Sequence, residues 1–121
     1  MDNMDIAKKG ELAAENFLSE SGYQILERNW YHRHKELDIV AVDGNELVIV
    51  EVKSRQAPAL DNPAMSIDRK KQRNLVFAAN AYARMNRIHS EIRFDVMWIV
   101  YHGNQPEIEH IRNAFVPGLY F

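Results

Sequence analysis

The stretch ELDIVAVDGNELVIVEVKSR, Glu36 to Arg55, constrains this chain more than any other. Two aliphatic, β-branched runs flank an Asp-Gly-Asn-Glu break, the pattern of two strands joined by a tight turn. Strand side chains alternate between faces. Leu47, Ile49, Glu51 and Lys53 therefore share one face of the second strand, and Val48, Val50 and Val52 the other. In the first strand Asp38, Val40 and Val42 share a face, opposite Leu37, Ile39 and Ala41. A Gly44-Asn45 turn, with positive φ at both residues, sets Val42 against Leu47, Val40 against Ile49 and Asp38 against Glu51. A four-residue loop, Asp43 to Glu46, gives the same pairing. An Asp43-Gly44 turn sets Asp38 against Ile49 instead and keeps the face.

Charged side chains within so apolar a hairpin are costly to desolvate unless paired or bound to a metal. Opposed side chains on neighbouring strands sit about 5 Å apart at Cβ, and like charges there repel. In the first register Asp38 and Glu51 converge with Lys53 beside them, and a cation between the carboxylates relieves the repulsion. Oxygen ligands without thiolates suit Mg²⁺ or Mn²⁺. Lys53 is then placed to orient or deprotonate an attacking water, or to steady charge building on a phosphate. The same residues also fit a plain surface reading, with Glu51 and Lys53 as a charge pair at a solvated strand end.

The remainder of the chain narrows the setting. At 121 residues a single domain over 1–121 is expected, with 46% hydrophobic and 26% charged residues in the ordinary globular range. The absence of cysteine excludes disulfides, thiolate zinc sites and a cysteine nucleophile. No apolar run is long enough to cross a bilayer, and the charged, helix-like start is unlike a signal peptide, so a cytoplasmic protein with no membrane partner is expected. A net charge of −2 directs any polyanion to a local patch.

Helical spacing of Ile6, Gly10, Ala13, Ala14 and Phe17 predicts a helix over 5–21, stopped by Gly22. Residues 23–31 read as a strand, 32–36 as a polar connection and 54–64 as a loop. A long helix is predicted from near Ser66–Asp68 to about Arg87, then a strand over 93–101 whose unbroken apolar run fits a central position. EIEHI (107–111) reads as a last strand and NAFVPGLYF as a packed tail. The order is αβββαββ, an α/β domain.

At these residues the sequence resembles the PD-(D/E)xK nuclease superfamily, the restriction-endonuclease-like fold. It more closely resembles the YraN-like family of small bacterial proteins, similar in outline to archaeal Holliday-junction resolvases. Five blocks in order carry the resemblance: GELAA (10–14), LERNW (26–30), ELDIVA (36–41), VEVKSR (50–55) and RFDV (93–96). Leu37 stands where the superfamily has proline, and Lys35 where the family usually has glycine. The resemblance implies a three-layer fold, a mixed β-sheet flanked by helices, with a metal-centred carboxylate cluster. Asp38 and Glu51 would ligate Mg²⁺ (or Mn²⁺), Lys53 would be the catalytic lysine and Glu11 a supporting ligand or water-positioning group. Without the resemblance, an exposed helical pair with Glu15 or Lys8 explains Glu11 as well.

Arg69, Lys70, Lys71 and Arg73 form the densest basic cluster, read either as a solvated helix face or as a phosphate-contacting surface. Packed beside the hairpin, that helix would bring Lys71 and Gln72 toward the metal site, and Arg28, Arg33 and Arg55 would widen the patch. His32 and His34 read as a solvated turn ahead of a His-x-His metal pair, since no third imidazole lies nearby, Asp95 as a buried structural carboxylate beside Arg93, and Trp30, Trp98 and the Tyr and Phe residues as core. The expected activity is Mg²⁺-dependent phosphodiester hydrolysis on nucleic acid, DNA ahead of RNA, branched or otherwise structured. By the resolvase analogy a homodimer is expected. The alternatives are a non-catalytic nucleic-acid-binding module on the same fold and a protein-interaction scaffold.

Overall fold

The structure, a computed structural model, describes residues 3–117. Along the chain lie α1 (Asn3–Glu20), β1 (Gln24–His32), β2 (Lys35–Asp43), β3 (Glu46–Gln56), α2 (Arg69–Met85), β4 (Ile92–His102) and β5 (Gln105–Phe115). This is the expected order. The strands form one sheet in chain order, antiparallel except for the central β3–β4 pair, whose parallel connection runs through α2.

Each face of the sheet carries one helix. Ile39, Ala41, Val48, Val50, Met97 and Ile99 pack under α1 against Ile6, Ala14 and Leu18. Val40, Leu47, Ile49 and Phe94 pack under α2 against Leu75, Ala78, Ala79 and Tyr82. Full burial of each larger aliphatic side chain contributes about 1.5–3 kcal/mol, so the two clusters fix which face each strand residue takes. Gly10 lets α1 approach β3: a Cβ there would overlap the Ser54 hydroxyl and lie 2.9 Å from Ser54 Cβ. α1 ends in a Schellman motif, with Tyr23 N–H donating to Leu18 O, Gly22 N–H donating to Ser19 O, and Gly22 at φ 92. Asp68 caps α2 by accepting the Lys71 N–H at 2.8 Å.

The β2–β3 register pairs Val42 with Leu47 and Val40 with Ile49, as the Gly44-Asn45 turn requires. Only Gly44 takes a positive φ (59), which makes the turn type II′ and leaves Asn45 unstrained. The structure departs from the sequence pattern at several points. The segment 32–36 is not a loop: Arg33 and His34, both at positive φ, form a two-residue turn that pairs His32 with Lys35. Strand β3 continues to Gln56, since Ser54, Arg55 and Gln56 pair with Ile99, Val100 and Tyr101. Strand β5 runs to Phe115 and absorbs the start of the expected tail, whose last four residues lie outside the described ones. Leu37 packs with Val40 under α2 rather than with Ile39 and Ala41. That break in alternation falls where the β2–β3 ladder stops and where Asn29 of β1 sits at φ 49.

Candidate functional site

Main-chain pairing between β2 and β3 ends at Ile39 and Val50, one step short of Asp38 and Glu51. Beyond that point β2 pairs with β1 and β3 with β4, and the two strands part. In this fork Asp38 Oδ2 accepts the Val52 N–H at 2.9 Å, standing in for a main-chain partner. Glu51 is 3% exposed. Its Oε2 takes both neighbouring cations, Lys53 Nζ at 3.4 Å and Lys71 Nζ at 3.2 Å. Its Oε1 is buried and has no hydrogen-bond partner.

That arrangement is electrostatically unbalanced. Burial, then the charge of Glu51 and a hydrogen bond shared with it, push the Asp38 carboxyl up to about 8 against the opposing Val52 amide. Glu11, on α1, is also raised, by burial first and further by the charges of Glu36 and Glu51, while a hydrogen bond from Asn29 opposes. Four carboxylates thus act on one another across the fork, and the ammonium groups of Lys53 and Lys71 both stand on a single oxygen. Among the described residues no three His, Asp or Glu side chains form a ready-made cation cage. Mg²⁺ does not require one, since it keeps several waters and takes one or two carboxylates plus a substrate phosphate. The orphaned Glu51 oxygen, the protonation-prone Asp38 and the hard-oxygen donor set fit such an ion. Two clefts open onto the fork. One of about 640 Å³ is lined by Glu11, Val52, Lys53, Ser54 and Arg55, and one of about 220 Å³ by Glu11, Asn29 and Asp38.

The fold brings Glu11, Asp38, Glu51 and Lys53 into one neighbourhood and adds Lys71, which reaches it because Leu75, one helical turn on, is buried against the sheet. Gln72 points inward as well, with its amide nitrogen 3.5 Å from Ile67 O and its Oε1 buried without a partner. Arg69, Lys70 and Arg73 lie on the exposed side of α2. Arg55 is held elsewhere, its guanidinium clamped on Asp61 at 3.0–3.2 Å and stacked 5.2 Å over Trp98. Arg28 pairs with Glu15 at 2.9 Å. Trp98 is core as expected, but Phe77 is 41% exposed and Tyr31 63%. Glu36 and Asn29 were not singled out as site residues. Both fall inside blocks that carry the resemblance, Glu36 in ELDIVA and Asn29 in LERNW.

Asp95 is the buried structural carboxylate expected, at 2% exposure, at a second charge centre. Arg93 grips it through two hydrogen bonds of 2.9 Å, His110 Nε2 lies at 2.8 Å and the Asn113 N–H donates at 3.0 Å. The last donor is free because β5 bulges there, with Asn113 at φ 54. Burial, the largest single influence on Asp95, pushes it up, yet the hydrogen bonds from His110, Arg93 and Asn113 outweigh it and hold the carboxyl low. Arg93 also bridges Asp43 and Glu46, at 3.0 Å each, and donates to the Tyr23 hydroxyl at 2.6 Å.

The model of the uncharacterised protein family UPF0102 matches residues 10–99, the span that holds the fork and α2. A UPF0102 protein of Bacteroides thetaiotaomicron is 42% identical over 116 residues, covering 96% of both chains. One from Rhodococcus opacus is 41% identical over 115 residues, covering 93% of this chain and 98% of its own. A third, from Chlorobium chlorochromatii, is 38% identical over 117 residues, with 92% and 91% covered. The chain belongs to the UPF0102 family, the YraN-like family that its five sequence blocks resemble.

Proposed function

We propose that this protein is a Mg²⁺- or Mn²⁺-dependent nuclease that hydrolyses phosphodiester bonds in nucleic acid, DNA ahead of RNA, with branched or structured strands as substrate. One observation carries the reading: two carboxylates on diverging strands, Asp38 and Glu51, lie close enough to raise the Asp38 carboxyl, Glu51 keeps one buried oxygen with no donor, and an amine stands alongside. Asp38 and Glu51 are the residues to hold the ion, which when bound supplies positive charge to the phosphate and a coordination site for water. Lys53, 3.4 Å from Glu51, is placed to orient that water or to stabilise charge on the phosphate. Glu11, lining both clefts, positions water from the α1 side. Lys70, Lys71 and Arg73 supply phosphate contacts along α2.

A second reading, a nucleic-acid-binding module without catalysis, is favoured by the Lys71–Glu51 ion pair, which partly neutralises the site with no metal. Cleavage separates the two. Labelled linear, flapped and four-way DNA substrates are incubated with Mg²⁺ or Mn²⁺. The nuclease reading expects cutting that Lys53→Ala lowers by about 10²–10⁴-fold and Asp38→Asn abolishes, with DNA binding retained. Wild-type protein that binds these substrates and cuts none of them with either ion leaves the binding module as the function.

A further inference from the structure

Beside the fork, the outer side of α2 carries a second kind of surface. Lys70, Arg73 and Phe77 recur at intervals of three and four and so form one stripe. The β1–β2 turn closes against its far end. His32 packs on Phe77 with ring centroids 5.8 Å apart, Trp30 stacks behind His32 at 5.9 Å and 8°, and Lys35 Nζ sits 5.2 Å over the Phe77 ring. Phe77 remains 41% exposed even so. Among the described residues neither Lys70 nor Arg73 has an ion-pair partner, unlike Arg28 and Arg55. An exposed ring with cations on two sides suits a polyanion that also offers flat apolar faces. A duplex hides its base faces, whereas a strand with unpaired bases presents them.

The distances tie this surface to the fork. Lys35 precedes Asp38 by three strand residues, about 10 Å, and Phe77 follows Lys71 by six helical residues, about 9 Å. Either span equals roughly three steps of a stacked strand.

We infer that Phe77, backed by His32 and Trp30 and flanked by Lys35, Lys70 and Arg73, is a base-stacking platform that receives an unpaired nucleotide about three steps from the Asp38–Glu51 fork. The inference deepens the nucleic-acid reading above by naming the substrate class, a strand unpaired near the scissile bond. The Lys35 ammonium, in a weak cation–π contact, yields the ring to a base and turns to the adjoining phosphate.

The test measures binding with chelator present, so that no cleavage contributes. Fluorescence anisotropy compares a labelled single strand with a blunt duplex of the same length, for wild type, Phe77→Leu, Phe77→Ala and Lys70→Glu. Loss of one stacked base is expected to weaken single-strand binding by about fivefold or more in both Phe77 variants, with duplex binding within about twofold of wild type. Lys70→Glu is expected to weaken both substrates and lower the salt slope by about 0.7–0.9. A 2-aminopurine in the single strand is expected to be quenched by wild type and not by Phe77→Leu, which keeps apolar contact with His32 and Lys35. Unchanged single-strand affinity in Phe77→Leu, or equal loss on strand and duplex, overturns the platform. Cleavage that persists alongside such a result leaves the nuclease reading standing. A Phe77-dependent preference for single strands in a protein that never cuts leaves the platform standing alone.

Discussion

Replacing Asp38 with Asn, measured with divalent ions chelated, is expected to stabilise the protein while abolishing its response to Mg²⁺. In the unfolded chain the carboxyl ionises near 3.8; in the fold it keeps its proton up to about pH 8. Between those values the folded state binds one proton more than the unfolded state. Stability is therefore greatest below pH 4 for this group and falls as pH rises toward 8, at up to about 1.4 kcal/mol per unit. At pH 7 the slope has acted over roughly three units, a cost on the order of a few kcal/mol. An Asn at 38 accepts the Val52 N–H in the same way and can donate to the orphaned Glu51 Oε1. Thermal denaturation from pH 4 to 8 is the assay. The variant is expected to melt roughly 10 °C above wild type at pH 7 and to converge with it at pH 4. Millimolar Mg²⁺ is expected to raise the wild-type midpoint by mass action and leave the variant unmoved. A variant less stable than wild type at pH 7, or one with the same pH dependence, refutes the unbalanced-fork argument.

Three other perturbations test the surroundings. Asp95→Ala leaves Arg93 buried with its bidentate partner gone and is expected to cost about 3–5 kcal/mol in denaturant unfolding. Gly10→Ala gains up to about 1 kcal/mol of helix propensity but drives a methyl into Ser54, and is expected to lose about 1–3 kcal/mol to overpacking; a stabilised variant would contradict the close α1–β3 approach. Asp61→Ala frees the Arg55 guanidinium beside the larger cleft and is expected to steepen the salt dependence of duplex binding by about 0.9 in the log–log slope.

The sequence made the hairpin legible because its information is local. Alternation places Val40, Ile49 and Glu51 on one face with no knowledge of the rest of the fold, and the packing of Val40 and Ile49 under α2 agrees. The inward reach of Lys71 is expected only once the helix packs beside the hairpin, as it does. Failures came where a partner elsewhere in the chain decides the conformation. Arg33-His34 carries no turn signature, and its two left-handed residues are held by pairing of His32 with Lys35 and by the contacts of His32 with Trp30 and Phe77. The charged residues of β5 conceal its alternation, so the pattern stops at Ile111, and β4 supplies the ladder that keeps the strand extended to Phe115. Arg55 looked available to phosphate until Asp61, six residues on, closed over it.

The two charge centres differ in how fully their carboxylates are satisfied. Asp95 is wholly buried, yet every donor it needs is present, and its carboxyl is held low. Asp38 has one amide and a like charge, and its carboxyl is held high. The fork is built on β2 and β3 and the Asp95 centre on β4 and β5 of the same sheet, so the difference does not come from a fold unable to pair a buried acid. β5 even bulges to offer Asp95 a free N–H, whereas at the fork the sheet opens and leaves an oxygen without a donor. Under the proposed function that deficit lies where the ion would bind, and binding would offset the desolvation of Asp38 and Glu51. On that argument, Lys71→Met is expected to tighten Mn²⁺ binding in a metal titration by removing the ammonium that competes for Glu51 Oε2. Weaker binding in that variant would mean that Lys71 holds the site together instead of competing with the ion.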